Sequence, residues 1–186
     1  YLILRWRRSI QKIIILIPVY NDWQSLIKLF DEINYTVKNL KGFLFDCIII
    51  NDASTQSFPP LKKPKNFNSL KVLNMKKNQG HAKCNAFGIR YIIQNENFDN
   101  LILMDGDGED RPEEIQSLID KIQINPHHSV VARRVKRSEG FFFQFLYNVH
   151  KLLTIVLTGK NINFGNYTCL ITVSYKHLTL PTSAGV

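Results

Sequence analysis

The sequence predicts an α/β domain built on a mainly parallel sheet flanked by helices. Three observations lead there. Apolar runs of strand length alternate with segments whose apolar residues recur at helical spacing. The strongest runs are continuous rather than alternating, as in strands buried on both faces. Acidic and aromatic residues follow the ends of these runs, where open parallel sheets bind ligands.

Each element has a local reason. KIIILIPV (12–19) is β-branched, continuous and stopped by Pro18. Residues 22–40 carry Leu26, Ile27, Phe30, Ile33 and Val37 on one side of a helix. FDCIIINDAS (45–54) reads as a second strand with its turn. FPPLKKPKNFN (58–68) is a Pro/Lys loop, and LKVLNM (70–75) is a third strand. GHAKCNAFGIRYIIQN (80–95) is expected to be helical, and NLILMD (100–105) to be a fourth strand. Asp110, Pro112 and Glu113 then form a helix-start pattern, with Asp110 as the expected cap. SVVARRV (129–135) is expected to be a fifth strand.

Composition narrows the class. The chain has 186 residues, enough for one domain with a real core. Its net charge of +9 favours anionic partners: nucleic acid, phosphorylated small molecules or an anionic membrane surface. Cys47, Cys84 and Cys169 lie in apolar segments, at spacings that fit neither a zinc site nor a disulfide framework. They are expected to be buried thiols in a reducing compartment. No stretch is apolar for long enough to span a membrane.

The acids carry the chemistry. MDGDGED (104–110) gathers Asp105, Asp107, Glu109 and Asp110 at the end of an apolar strand, where like charges repel. With Tyr20 and Asp22 after the first strand and Asp52 after the second, they share one rim of the sheet. Each acid taken singly could be a turn or cap residue. Together they suit a hard divalent cation, Mg²⁺ or Mn²⁺, which takes one or two carboxylates and completes its shell with phosphate oxygens and water.

The chain resembles the family 2 glycosyltransferases of GT-A fold, within them those that transfer sugars to polyprenyl phosphates such as dolichol or undecaprenyl phosphate. The resemblance rests on IPVYND (17–22), INDAS (50–54), NQGHAKCNAFGI (78–89), LMDGDGEDRPEEI (103–115), VVARRVKR (130–137) and FGNYTCL (164–170), in the family's order and spacing. It implies a Rossmann-like sheet, a nucleotide-sugar donor, a polyprenyl-phosphate acceptor, inversion at the sugar and divalent-metal assistance. Asp105 and Asp107 would be the family's Asp-x-Asp, with Asp107 the stronger metal ligand and Glu109 a further metal or phosphate contact. Pro18, Tyr20 and Asp22 would line the base pocket, and Asp52 would hydrogen-bond the base. At a strand end, Asp52 is expected to be replaceable without much loss of fold. Gly80 and Lys83 would lie near the donor, and Arg134 would contact phosphate. The family's Gly-Ser before that arginine is replaced by Ala132-Arg133, leaving open which arginine points inward. His81 is read as a surface histidine in preference to a catalytic one.

An anionic phosphate acceptor needs positioning more than deprotonation, a task that suits the basic run RRVKR (133–137). The apolar stretch 140–160 has a narrow polar stripe of Gln144, Asn148 and Lys151, and either packs in a core or lies in a membrane interface. Action at the cytoplasmic face of a membrane is therefore expected, with no nucleic-acid partner. The chain starts without methionine, and TVSYKHLTLPTSAGV (172–186) resembles translated adaptor sequence. The catalytic domain is expected over 1–172, truncated at its C-terminal side, with 173–186 a foreign tail. Two other classes compete. A Mg²⁺-dependent phosphohydrolase or phosphotransferase would need an Asp-x-Asp after the first strand, which PVYND lacks. A non-catalytic nucleic-acid-binding module would put basic and aromatic residues where the rim carries acids.

Overall fold

A computed structural model describes residues 10–132 and 167–171. Arg134 with the basic run 133–137, the apolar stretch 140–160 and the tail 173–186 lie outside the described residues. Among the described residues the core is a six-stranded sheet. It comprises β1 (Gln11–Val19), β2 (Phe43–Asn51), β3 (Phe67–Asn74), β4 (Asn100–Leu103), β5 (Val130–Val131) and β6 (Thr168–Ile171), in the order β3-β2-β1-β4-β6-β5. The β3-β2-β1-β4 part is parallel, while β6 runs antiparallel to both β4 and β5. The fold is thus the expected α/β one, with a mixed sheet on the β6 side.

The continuous apolar runs are explained by burial on both sheet faces. Ile13, Ile15, Ile17 and Val19 of β1 pack on one face, with α1 (Trp23–Val37) and α3 (Ile115–Ile124). Ile14 and Leu16 pack on the other, under α2 (His81–Asn95). Such alternation is what a pleated strand imposes.

The helices follow their stripes with one change. Leu26, Leu29, Phe30, Ile33 and Val37 of α1 are buried, whereas Ile27 is 44% exposed. Leu29 sits three residues after Leu26 and shares its face, while Ile27 is turned about 100° away. In α2 the buried residues Cys84, Gly88 and Ile92 recur every four positions. A Cβ on Gly88 would lie 2.6 Å from Leu16 Cδ1, so glycine lets α2 settle close to β1.

The start of α3 differs from expectation. Asp110 does not cap it. A single 3-10 turn, Pro112–Glu114, precedes the helix, and neither start has a side-chain cap. The Asp110 carboxylate instead accepts the backbone N–H of Asp105 at 2.8 Å. The expected strand at 129–135 begins one residue later, and β6 was not expected from the sequence. The Ala132 N–H donates to the Tyr167 carbonyl at 2.9 Å, extending the pairing of β5 with β6.

Candidate functional site

The carboxyl ends of β1, β2, β3 and β4 form one rim, and every predicted site residue among the described residues lies on it or beside it. The rim is tied together by backbone bonds past the strand ends. Asp52 N donates to Val19 O at 2.9 Å, Met75 N to Asn51 O at 2.9 Å, and Met104 N to Leu16 O at 3.1 Å.

After β4 the chain turns through the acidic segment. Gly106 packs against the end of β1, where an added Cβ would lie 2.9 Å from the Pro18 carbonyl oxygen. Only glycine permits that approach. Asp105 and Asp107 flank it, so Pro18 and the acidic turn share one wall. Asp107 lies in the turn itself. Asp107 Oδ1 accepts the Glu109 N–H at 2.9 Å, and Gly108 takes a left-handed φ of +80°. Asp107 and Glu109 are exposed, and Asp110 is buried. No three His, Cys, Asp or Glu side chains among the described residues are grouped so as to hold a metal ion. Asp105, Asp107 and Glu109 are therefore not a preformed cage. Exposed hard oxygen donors nonetheless fit a cation that draws most of its shell from phosphate and water.

His81, on the first turn of α2, faces this turn. Its Nε2 lies 2.7 Å from Asp105 Oδ1, and Asn85 Nδ2 lies 3.3 Å from the same nitrogen. The Asp105 hydrogen bond raises the His81 pKa, against the opposing effect of burial, and the charges of Asp105, Asp107 and Asp110 add to the rise. The residue read as a surface histidine is thus part of the acidic site. The helical periodicity places it at the start of α2, but pairing to Asp105 depends on how α2 packs across β1 and β4.

On the β2 side, Asp52 is 3% exposed. Its two oxygens accept the N–H groups of Gln79 and Gly80 at 2.7 and 2.8 Å. It therefore fixes the entry to α2, where Gly80 has φ +84°. Lys83 is exposed one turn further along. Burial, with Asp52 adding to it, pushes the Cys84 thiol up to about 12; burial does the same to Cys169. The cysteines are buried and unsuited to nucleophilic work.

On the β1 side, Tyr20 is 47% exposed and Asp22 caps α1 through its bond from Ser25 N at 3.2 Å. Tyr167, just before β6, was not singled out by sequence. Its buried hydroxyl donates to the Arg111 carbonyl at 3.0 Å, bracing the acidic segment from below.

Comparison with known proteins identifies the family and the fold. The glycosyl transferase family 2 profile covers residues 14–178, most of the chain. The chain belongs to glycosyl transferase family 2. It is 25% identical over 175 residues to the undecaprenyl-phosphate 4-deoxy-4-formamido-L-arabinose transferase of Photorhabdus laumondii, covering 91% of this chain and 51% of that one. The corresponding transferase of Proteus mirabilis is 25% identical over 171 residues, with the same coverage. The chain thus spans about half the length of these family 2 relatives. Among solved structures, S. aureus TarS 1-349 superposes with a TM-score of 0.55 at 19% identity, over 89% of this chain and 48% of TarS. Its complex with UDP-GlcNAc gives 0.53 at 20% identity, over 89% and 46%. These likenesses show the GT-A fold of the family 2 domain.

Proposed function

We propose that residues 1–172 form the catalytic domain of a glycosyltransferase that moves a sugar from a nucleotide-sugar donor to a polyprenyl phosphate, with inversion. The observation that carries this is the acidic turn Asp105–Asp110, locked against the end of β1 by Gly106 and facing the start of α2. The acceptor class is supported by the relatives named as undecaprenyl-phosphate transferases. That acceptor implies work at a membrane surface, on its cytoplasmic face; no described helix is long and apolar enough to cross a membrane.

The residues divide by expected role. Pro18, Tyr20 and Asp22 line the base pocket. Asp52 holds Gln79 and Gly80 in place, and each of its oxygens keeps a lone pair that can accept from a base. Gly80 and Lys83 would lie toward the diphosphate, and Arg134 would contact phosphate. Asp107 and Asp105 would hold Mg²⁺ or Mn²⁺, with Glu109 beside them. When bound, the cation offsets charge growing on the leaving diphosphate. An acceptor phosphate oxygen attacks the anomeric carbon from the face opposite the nucleotide. The new C–O bond forms as the bond to the nucleoside diphosphate breaks. The acceptor is already anionic, so no residue has to remove a proton.

Melting the protein with a panel of nucleotide sugars, with and without Mn²⁺ or Mg²⁺, tests this reading. One class of nucleotide sugar should raise Tm, and more so with metal. No response to any of them overturns it.

A further inference from the structure

Two described residues other than glycine take a left-handed φ, Asn21 and Ala53, both at +55°. They sit just past the ends of the adjacent strands β1 and β2. Such a backbone is unfavourable for a residue with a Cβ, and persists where surrounding contacts over-determine it. Here the contacts are explicit. Asn21 N donates to Ser54 Oγ at 2.9 Å. Asn21 Oδ1 accepts the N–H groups of Thr55 and Gln56 at 2.8 and 3.0 Å, and its Nδ2 reaches Thr55 Oγ1 at 3.0 Å. The set continues inward: Ser54 N donates to Asn51 Oδ1 at 3.0 Å, and Asn51 Nδ2 to Asn74 Oδ1 at 2.9 Å. Three strand ends are joined through side-chain amides.

The outer bonds of this set are exposed. Exposed hydrogen bonds exchange readily with water and contribute little to stability. Their effect is on shape. The 53–58 segment is held a second time by Phe58, which packs edge-on against Trp23 at 4.9 Å. The segment therefore forms a fixed wall beside Tyr20 and Asp22, which flank Asn21 in sequence.

We propose that Asn21 is a positioning residue for the donor: it clamps the 54–56 turn against the end of β1 and so preforms one wall of the nucleoside pocket. This rests on the nucleotide-sugar reading above. Asn21 need not touch the ligand. Without the clamp, the wall occupies its binding position for a fraction of the time, and apparent affinity falls by that fraction.

Asn21→Gly keeps the left-handed backbone and deletes the clamp; Asn21→Asp keeps the accepting oxygen. Nucleoside diphosphate affinity, with Mn²⁺, is measured on the full chain for wild type and both variants, well below their melting temperatures. Amide exchange at Thr55 and Gln56 is followed alongside. Asn21→Gly should bind about tenfold more weakly, with both amides exchanging faster, and Asn21→Asp should recover most of the affinity. Wild-type affinity in Asn21→Gly overturns the clamp while leaving the donor reading intact, even if Tm falls. Equal weakness of Asn21→Asp and Asn21→Gly also overturns it. A wild-type chain that binds no nucleoside diphosphate removes the donor reading and the clamp together.

Discussion

His81 Nε2 lies 2.7 Å from Asp105 Oδ1, joining the start of α2 to the acidic turn after β4. The hydrogen bond to Asp105 raises the His81 pKa against the opposing effect of burial, and the charges of Asp105, Asp107 and Asp110 add to the rise. Removing the imidazole leaves the carboxylates to repel one another. The His81 side chain is 42% exposed, so screening keeps the effect small. His81→Ala should lower apo stability by about 0.5–1 kcal/mol. Mn²⁺ should then stabilise the variant more than it stabilises wild type. Melting both proteins with and without Mn²⁺ checks this; equal metal responses would count against the pairing.

Asp107 is exposed, and its Oδ1 accepts the Glu109 N–H, a bond asparagine can keep. Asp107→Asn should leave the apo protein as stable as wild type or slightly more so, since one repelling charge is gone. It should abolish the extra stabilisation seen when metal and a nucleoside diphosphate are added together. Loss of apo stability, or survival of that synergy, would refute Asp107 as a metal ligand.

Asp52 behaves differently from its sequence expectation. A strand-end residue was expected to be dispensable for folding, yet Asp52 is 3% exposed and takes two backbone N–H groups. Removing it leaves both donors without that acceptor in a partly buried place. Asp52→Ala should therefore cost about 2–4 kcal/mol, and Asp52→Asn less because one acceptor remains. Urea denaturation measures both; a cost within error of zero for the alanine variant would show that the Gln79–Gly80 entry finds other partners.

At the opposite end of the sheet, Asp46 is 3% exposed and pairs with Lys12 at 2.8 Å and with Asn68 at 2.8 Å. Burial raises its pKa, but hydrogen bonds from Lys12, Asn68 and Ser69, with the Lys12 charge, together outweigh burial and lower it. A lowered folded pKa means stability that is present above the unfolded carboxyl value, about 3.9, and lost as pH falls through the folded one. The stability gap between wild type and Asp46→Asn should be full near neutral pH and close on acidification below about pH 4. Denaturation at a series of pH values tests the sign; a gap that widens toward acid contradicts it.

Most of the frame could be read from residues 12–124, because continuous β-branched runs and helical stripes are local signals. β6 escaped because its four residues, TCLI, acquire strand character only by pairing with β4 and β5, far away in the chain. Asp110 was placed as a helix cap because Asp-x-x-Glu is a local pattern. In the fold Pro112 opens a 3-10 turn and the carboxylate is drawn inward to Asp105 N. The rim acids were legible from their positions after apolar runs. His81 and Tyr167 were not, since their partners, Asp105 and Arg111, are brought to them by packing between elements rather than by spacing.

The bond from Ala132 N to Tyr167 O, with the β5–β6 pairing beside it, fastens together two points far apart in the chain. β6 in turn lies against β4, so residues late in the sequence complete the sheet beside the strand that precedes the acidic turn. A stretch anchored at both ends in this way changes length at small thermodynamic cost, each doubling costing only about 0.6 kcal/mol. Insertions or deletions between positions 132 and 167 are therefore expected to leave the β4–β6–β5 edge of the sheet in register.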